Sequence, residues 1–142
     1  MAITQAMATS FKVDLLNGEM DFSSDTAQVF KIALYTSAAT LSAATTTYSV
    51  TNEVSGTNYV AGGNTLTVSV NPTSTGTTAF LDFADSTWAA ATITARGALI
   101  YQATTLKAVA VLDFGADKTS TAGDFVVQFP VGDSTTAIVR VA

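Results

Sequence analysis

The sequence contains no histidine and no cysteine. Their absence excludes a histidine general base, a Ser-His or Cys-His nucleophile pair, a thiolate metal site and any disulfide. Charge is scarce as well: Asp, Glu, Lys and Arg make up 12% of the 142 residues, about half the fraction of an ordinary soluble domain. Six basic residues face eleven acidic ones, for a formal charge of −5. That balance argues against broad contact with a nucleic-acid backbone. Long apolar runs are missing too. The stretch from Val54 to Leu81 carries no charge, yet Gly56, Asn58, Gly62, Gly63, Asn64, Asn71 and Pro72 interrupt it. No apolar run reaches the length a bilayer requires, so the expectation is a soluble protein with no membrane partner. Met1 to Ser10 lacks the basic n-region and the continuous apolar h-region of a secretory signal.

What the chain does have is 25 Thr, 24 Ala and 12 Ser within a composition that is 48% hydrophobic. Its length suits a single domain over residues 1–142 with one core. Ile3, Met7, Phe11 and Leu15 recur at a spacing of four, with Gly18 beyond them, which predicts a helix over residues 3–17. Its polar face is thin, so these four residues are candidate assembly or docking contacts.

From residue 28 the period changes to two. Phe30, Ile32 and Leu34 share one face and Lys31, Ala33 and Tyr35 the other, which predicts a strand. Ser37 to Asn52 reads as loop. A second strand carries Leu66, Val68 and Val70 and is expected to end at Asn71-Pro72. A third covers Thr78 to Phe83. Ala91 to Tyr101 and Leu106 to Phe114 read as central strands around a turn at residues 102–105, with Arg96 and Lys107 marking exposed ends or a buried pair. Gly115 to Asp124 reads as a polar loop, followed by strands at Phe125 to Phe129 and Ile138 to Val141. The sum is a mainly β protein: a single β-sandwich of about seven strands over residues 28–142 behind an N-terminal α-helix.

Leu81-Asp82-Phe83 and Leu112-Asp113-Phe114 echo each other, as two equivalent hairpin corners would. Chemistry finds little footing. Asp113-Phe114-Gly115 matches the kinase metal-binding tripeptide, but no Gly-rich loop or catalytic segment accompanies it. Asp113, Asp117 and Asp124 fit no EF-hand spacing, and a loop of solvated carboxylates accounts for them. Asp82 and Asp113 are the carboxylate pair to test for glycoside hydrolysis, on a chain with one Trp. Gly62-Gly63 lacks the strand-to-helix setting of a phosphate loop and reads as a turn. Trp88 and Tyr101, with Tyr48 and Tyr59, are candidate aromatics of a ligand surface, against the commoner role of packing a core. Neither catalytic residues, nor a cofactor, nor a metal are expected. The sparse charge predicts assembly, because interface cores are depleted in charged residues.

Four segments carry a resemblance. They are Phe30 to Ser37 with Ala39-Thr40-Leu41, Asn52 to Thr57 with Tyr59 to Gly63, Ile93 to Tyr101, and Ala108 to Gly115. In this order the chain resembles small virion structural proteins of tailed bacteriophages, including those of aquatic and cyanobacterial phages. The resemblance implies no catalytic residues. It gives Gly56, Gly62 and Gly63 a turn, lets Glu53 cap or pair locally, and lets Arg96 pair with Asp82 or Asp113. It also implies a place in the virion after synthesis in a host cytoplasm. The expectation is a capsid decoration (cement) protein, a homo-oligomer favoured as a trimer, on the major capsid protein. The competing expectations are a tail, neck, baseplate or fibre-associated component, or a receptor- or glycan-binding module.

Overall fold

Apolar alternation from Phe30 onward builds strands, and the computed structural model, which describes residues 2–142, shows eight of them around one short helix. In chain order these are β1 (Ala6–Met7), α1 (Thr9–Leu16), β2 (Phe30–Tyr35), β3 (Asn64–Thr65), β4 (Val68–Thr75), β5 (Thr78–Phe83), β6 (Ser86–Gln102), β7 (Ala108–Val127) and β8 (Val139–Val141). They form two antiparallel sheets, one ordered β1-β7-β6-β2-β3 and the other β4-β5-β8. The fold is a β-sandwich with an N-terminal helix.

β6 and β7 are far longer than the mean strand of a globular protein. Ile32, Leu34, Leu99, Ile100, Val109 and Val111 are fully buried where this pair meets β2. A seam of phenylalanines joins the layers. Phe22 stacks on Phe30 with ring centroids 4.3 Å apart, and it meets Phe11 at 5.8 Å and Phe83 at 6.2 Å edge-on. Phe83 in turn lies 5.9 Å from Phe129. Helix, large sheet and small sheet therefore share one core.

The expected helix over residues 3–17 is shortened to Thr9–Leu16. A spacing of four is also an even spacing, so Ile3 and Met7 satisfy one face of a strand as well as one face of a helix. Backbone pairing decides between them: Ile3 bridges Leu41 in parallel, Ala6 and Met7 pair with Val111 and Ala110, and the Ala8 N–H donates to the Val109 carbonyl at 2.9 Å. The helix ends where the glycine predicts. Gly18 N–H donates to Leu15 and Glu19 N–H to Asp14, with Gly18 at φ +72°, a Schellman motif.

Asn71-Pro72 does not end its strand. β4 runs on to Thr75 because it is an edge strand, with β5 its one neighbour among the described residues, and the ladder shifts register between Val70 and Thr73. The polar loop expected at Gly115 to Asp124 is strand within β7. Its turn-type residues make bulges instead. Between Gly97↔Asp113 and Ala95↔Lys118 the register shifts at Phe114 to Asp117. Farther along, Thr121-Ala122 oppose Thr92 alone, and Ala89-Ala90 oppose Asp124 alone. The lone residue pins each of these two bulges: Thr92 Oγ1 accepts from Ala122 N–H at 2.9 Å and Asp124 Oδ1 from Ala90 N–H at 3.1 Å. The Leu-Asp-Phe echo is not a pair of equivalent corners, since residues 81–83 end β5 whereas residues 112–114 lie inside β7.

Lys107, in the β6–β7 connection, forms ion pairs with Asp14 (3.1 Å) and Glu19, fastening the end of α1 to the hairpin. An alanine at 18 would meet no neighbour within 4 Å, so its cost is conformational alone. Gly18→Ala is expected to lower stability by about 1 kcal/mol, read by urea denaturation, with unchanged far-ultraviolet dichroism.

Candidate assembly surface

The N-terminal candidates are turned inward. Phe11 is fully buried and Ile3 is 9% exposed, while Met7 and Leu15 pack half-buried against the same core. Expected as docking contacts, these side chains are instead occupied by their own sheets. α1 presents other residues outward, Val13 and Leu16, the latter 89% exposed. Between α1 and the small sheet lies an apolar groove of about 480 Å³, with Phe11, Leu15 and Met20 on one side and Leu81, Val139 and Val141 on the other.

The expected ligand aromatics are core residues. Trp88 is 3% exposed and Tyr101 2%, so neither offers a ring face to solvent. Trp88 packs on Tyr59 (5.9 Å) and Phe125 (6.2 Å), and its Nε1–H finds no acceptor among the described residues. Tyr101 stacks on Tyr48 at 4.6 Å and donates its hydroxyl to the Gly62 carbonyl at 2.7 Å.

All four tyrosines gather around Glu53. Glu53 Oε2 accepts from the Tyr48 hydroxyl at 2.6 Å, and Oε1 accepts from the Tyr59 hydroxyl at 2.6 Å and the Gly62 N–H at 2.7 Å. Tyr59 Oη in turn accepts from the Leu34 N–H (2.9 Å), and Tyr35 donates to the Ser49 carbonyl (2.6 Å). Burial first, then the Glu53 carboxylate, pushes the phenols of Tyr35, Tyr48, Tyr59 and Tyr101 above their ordinary value, so they stay protonated as donors. Gly63 makes the close approach possible: at φ +74°, a Cβ there would stand 1.8 Å from the Ile32 carbonyl oxygen. The arrangement clamps residues 48–63 onto β2 and β6, and the local pairing expected of Glu53 proves to be its centre. Nothing in the spacing of the tyrosines announces that they meet.

The carboxylates expected to act together do not gather. Asp113 lies in the large sheet and Asp82 in the small one. Arg96 sits between Asp113 (3.7 Å) and Asp117 (3.8 Å), pairing with two of the three candidate cation ligands, while Asp124 holds its bulge. Among the described residues no group of three or more Asp, Glu, His or Cys is placed to hold a metal ion. Asp82 is 8% exposed, on the face of β5 opposite Leu81 and Phe83, with Oδ1 unpartnered. Burial raises its carboxyl above the usual range, partly opposed by the Phe83 N–H.

What the surface does offer is a face and an edge. Thr87, Thr92 and Thr94 of β6 are exposed beside Thr119, Thr121 and the half-exposed Val126 of β7, and Thr94 and Thr119 hydroxyls bond across the strands at 2.8 Å. Beyond Asp113, β7 has β6 on one side and no strand on the other among the described residues. No helix among the described residues is long and apolar enough to cross a membrane.

Glu53→Ala is expected to cost about 3 kcal/mol in urea denaturation, because three donors lose a charged acceptor, and Glu53→Gln less. Asp82 titrates the other way from a stabilising carboxylate. With its folded pKa above the unfolded value, its ionisation destabilises the fold as pH rises from the ordinary carboxylate value through the raised one. Asp82→Asn is therefore expected to raise stability relative to the parent at neutral pH, with the gap closing as pH falls below about 4; a gap independent of pH would exclude this origin.

No family model, curated protein or solved structure matches the chain.

Proposed function

We propose that the chain is a structural protein of a tailed-bacteriophage virion, and specifically a decoration protein that sits on the outside of the capsid shell in many copies. The observation that carries the reading is the threonine-faced β6–β7 ribbon with its unpaired edge. It lies within a chain whose segments, in one order, resemble virion proteins. The threonine and alanine area of this ribbon is cheap to bury, since no charge there must be stripped of water. Repetition supplies the strength: a modest contact made by every copy stabilises a shell that no single contact would.

The N-terminal segment is not the arm that reaches the shell in this reading, because its apolar side chains are consumed by the sandwich. The contact falls to exposed sheet surface and to the outer side of α1. A tail, neck, baseplate or fibre-associated place would use the same surfaces. A glycan-binding module has less support, since Trp88 and Tyr101 are internal.

Quantitative mass spectrometry of purified virions against the major capsid protein tests the proposal. The expected result is a copy number in simple ratio to the shell protein, and depletion of the chain should lower the temperature at which heads release DNA. A few copies in multiples of three or six would place the chain in the tail or neck. Absence from virions would overturn the reading.

A further inference from the structure

β5 turns Leu81 and Phe83 into the core and Asp82 to the opposite face of the small sheet, where Gly132, in the connection to β8, sits on it. The fit is close. A Cβ at Gly132 would stand 2.7 Å from Asp82 Cβ, 3.1 Å from its Oδ2 and 3.0 Å from Val70 Cγ2. Asp82 is buried, and its Oδ1 has no hydrogen-bond partner among the described residues. A carboxyl enclosed in this way is tolerated when uncharged and opposed when ionised, because the charged form needs water or donors that the seat does not supply.

The segment above Asp82 is tied to itself and not to the sheet. Asp133 Oδ1 accepts from the Thr135 and Thr136 N–H groups at 2.8 and 2.7 Å, the Asp133 N–H donates to the Val131 carbonyl, and the Asp133 carbonyl accepts from the Ala137 N–H. Among the described residues, 130–137 form no hydrogen bond with the remainder of the chain. The anchors lie on either side. Phe129 N–H donates to Asp85 Oδ1 at 2.9 Å, and Val139 enters the ladder opposite Leu81. Between these anchors the segment is held down by packing alone, with Gly132 on Asp82 and Ala137 buried.

The charged groups around Asp82 do not neutralise it. β4 carries none, and Asp85 in the β5–β6 turn adds its repulsion to the burial that disfavours ionisation of Asp82. Asp133, within the segment, is itself kept ionised by the N–H groups it accepts from. Arg140 of β8 stands opposite Phe80, on the same face as Asp82, yet makes no ion pair with it.

We propose that residues 130–137 are a lid on the outer face of the small sheet, closed over an uncharged Asp82 carboxyl and released when Asp82 ionises. Linkage gives the direction. The protonated carboxyl fits the closed seat, whereas the carboxylate is better hydrated once Gly132 has lifted. The lid is therefore shut in acid and opens more often as pH rises from the ordinary carboxylate value. Opening uncovers Val70 and Ala137, an apolar patch that the closed form hides. The inference does not rest on the virion reading.

The absence of cysteine lets thiol labelling of the full chain read the opening. A137C puts a thiol at a buried position of the lid, and V131C, on a residue 73% exposed, supplies the accessible reference. A pyridyl disulfide is the probe, because it reacts with thiols in acid as well. Dividing the A137C rate by the V131C rate at each pH removes the titration of the thiol itself. The quotient is expected to rise at least about fivefold between about pH 4 and about pH 7, and to stay at its acid value when D82N is added to both. V70C, on the strand beneath Gly132, should show the same rise and guards against A137C disturbing the seat. V109C, fully buried in the large sheet, labels only through global unfolding, and A137C should react at least about tenfold faster than it at neutral pH. A quotient indifferent to pH in both A137C and V70C, or one that rises equally with D82N, overturns the lid. Equal rates at A137C and V109C overturn it as well, since opening would then be unfolding of the whole chain.

Discussion

The pairing of β6 with β7 runs from Tyr101 opposite Ala108 to Ser86 opposite Val127, and the other elements take their places from it. Its inner half is covered on both sides, by β2 along β6 and by β1 along β7. There Leu99, Ile100, Val109 and Val111 are fully buried, as strands enclosed on both faces require. The outer half has a neighbour on one side only. Its β6 edge is taken by residues 57–64, through the Thr57–Thr92 bridge and the Asn58 and Asn64 side chains, while its β7 edge is left open. One ladder therefore supplies both the most protected backbone in the molecule and the least protected.

The sequence shows the inner half plainly and conceals the outer one. Phe30 to Tyr35, Thr78 to Phe83 and the apolar runs of β6 and β7 are continuous hydrophobic signals, and the strands lie where those signals fall. Gly115, Ala116, Asp117, Gly123 and Asp124 look like a loop because the residues that favour turns also favour bulges. The distinction depends on what lies opposite. Thr92 and Asp124 hold two bulges from the facing strand, and no local pattern contains that information. The N-terminus fails for a different reason: a spacing of four fits both periods, and pairing partners more than 30 residues away, Leu41 and Val111, decide the outcome.

The candidate residues divide along the same line. Phe11 and Trp88 are large and apolar, and their size predicts burial better than it predicts contact with a partner. Glu53 is the opposite case. It is an ordinary acidic residue in a stretch of Thr, Asn and Gly, and its role emerges only when Tyr48, Tyr59 and Gly62 converge on it. Its neighbourhood in sequence marks it as solvated, yet its neighbourhood in space makes it the node of a loop.

Low charge has a structural cost that these placements answer. With few ionic groups, misassembly cannot be prevented by general repulsion, so specificity has to come from where the few charges stand. Arg96 and Lys107 are each committed to two carboxylates within the chain. Asp82 is largely withdrawn from solvent, at an energetic cost set by its unpartnered oxygen. Lys118 makes no ion pair among the described residues and stands on the open edge of β7. An open edge without charge would accept any strand in any register. The β7 edge carries Asp117, Lys118 and Asp124, so a strand docking there meets charge.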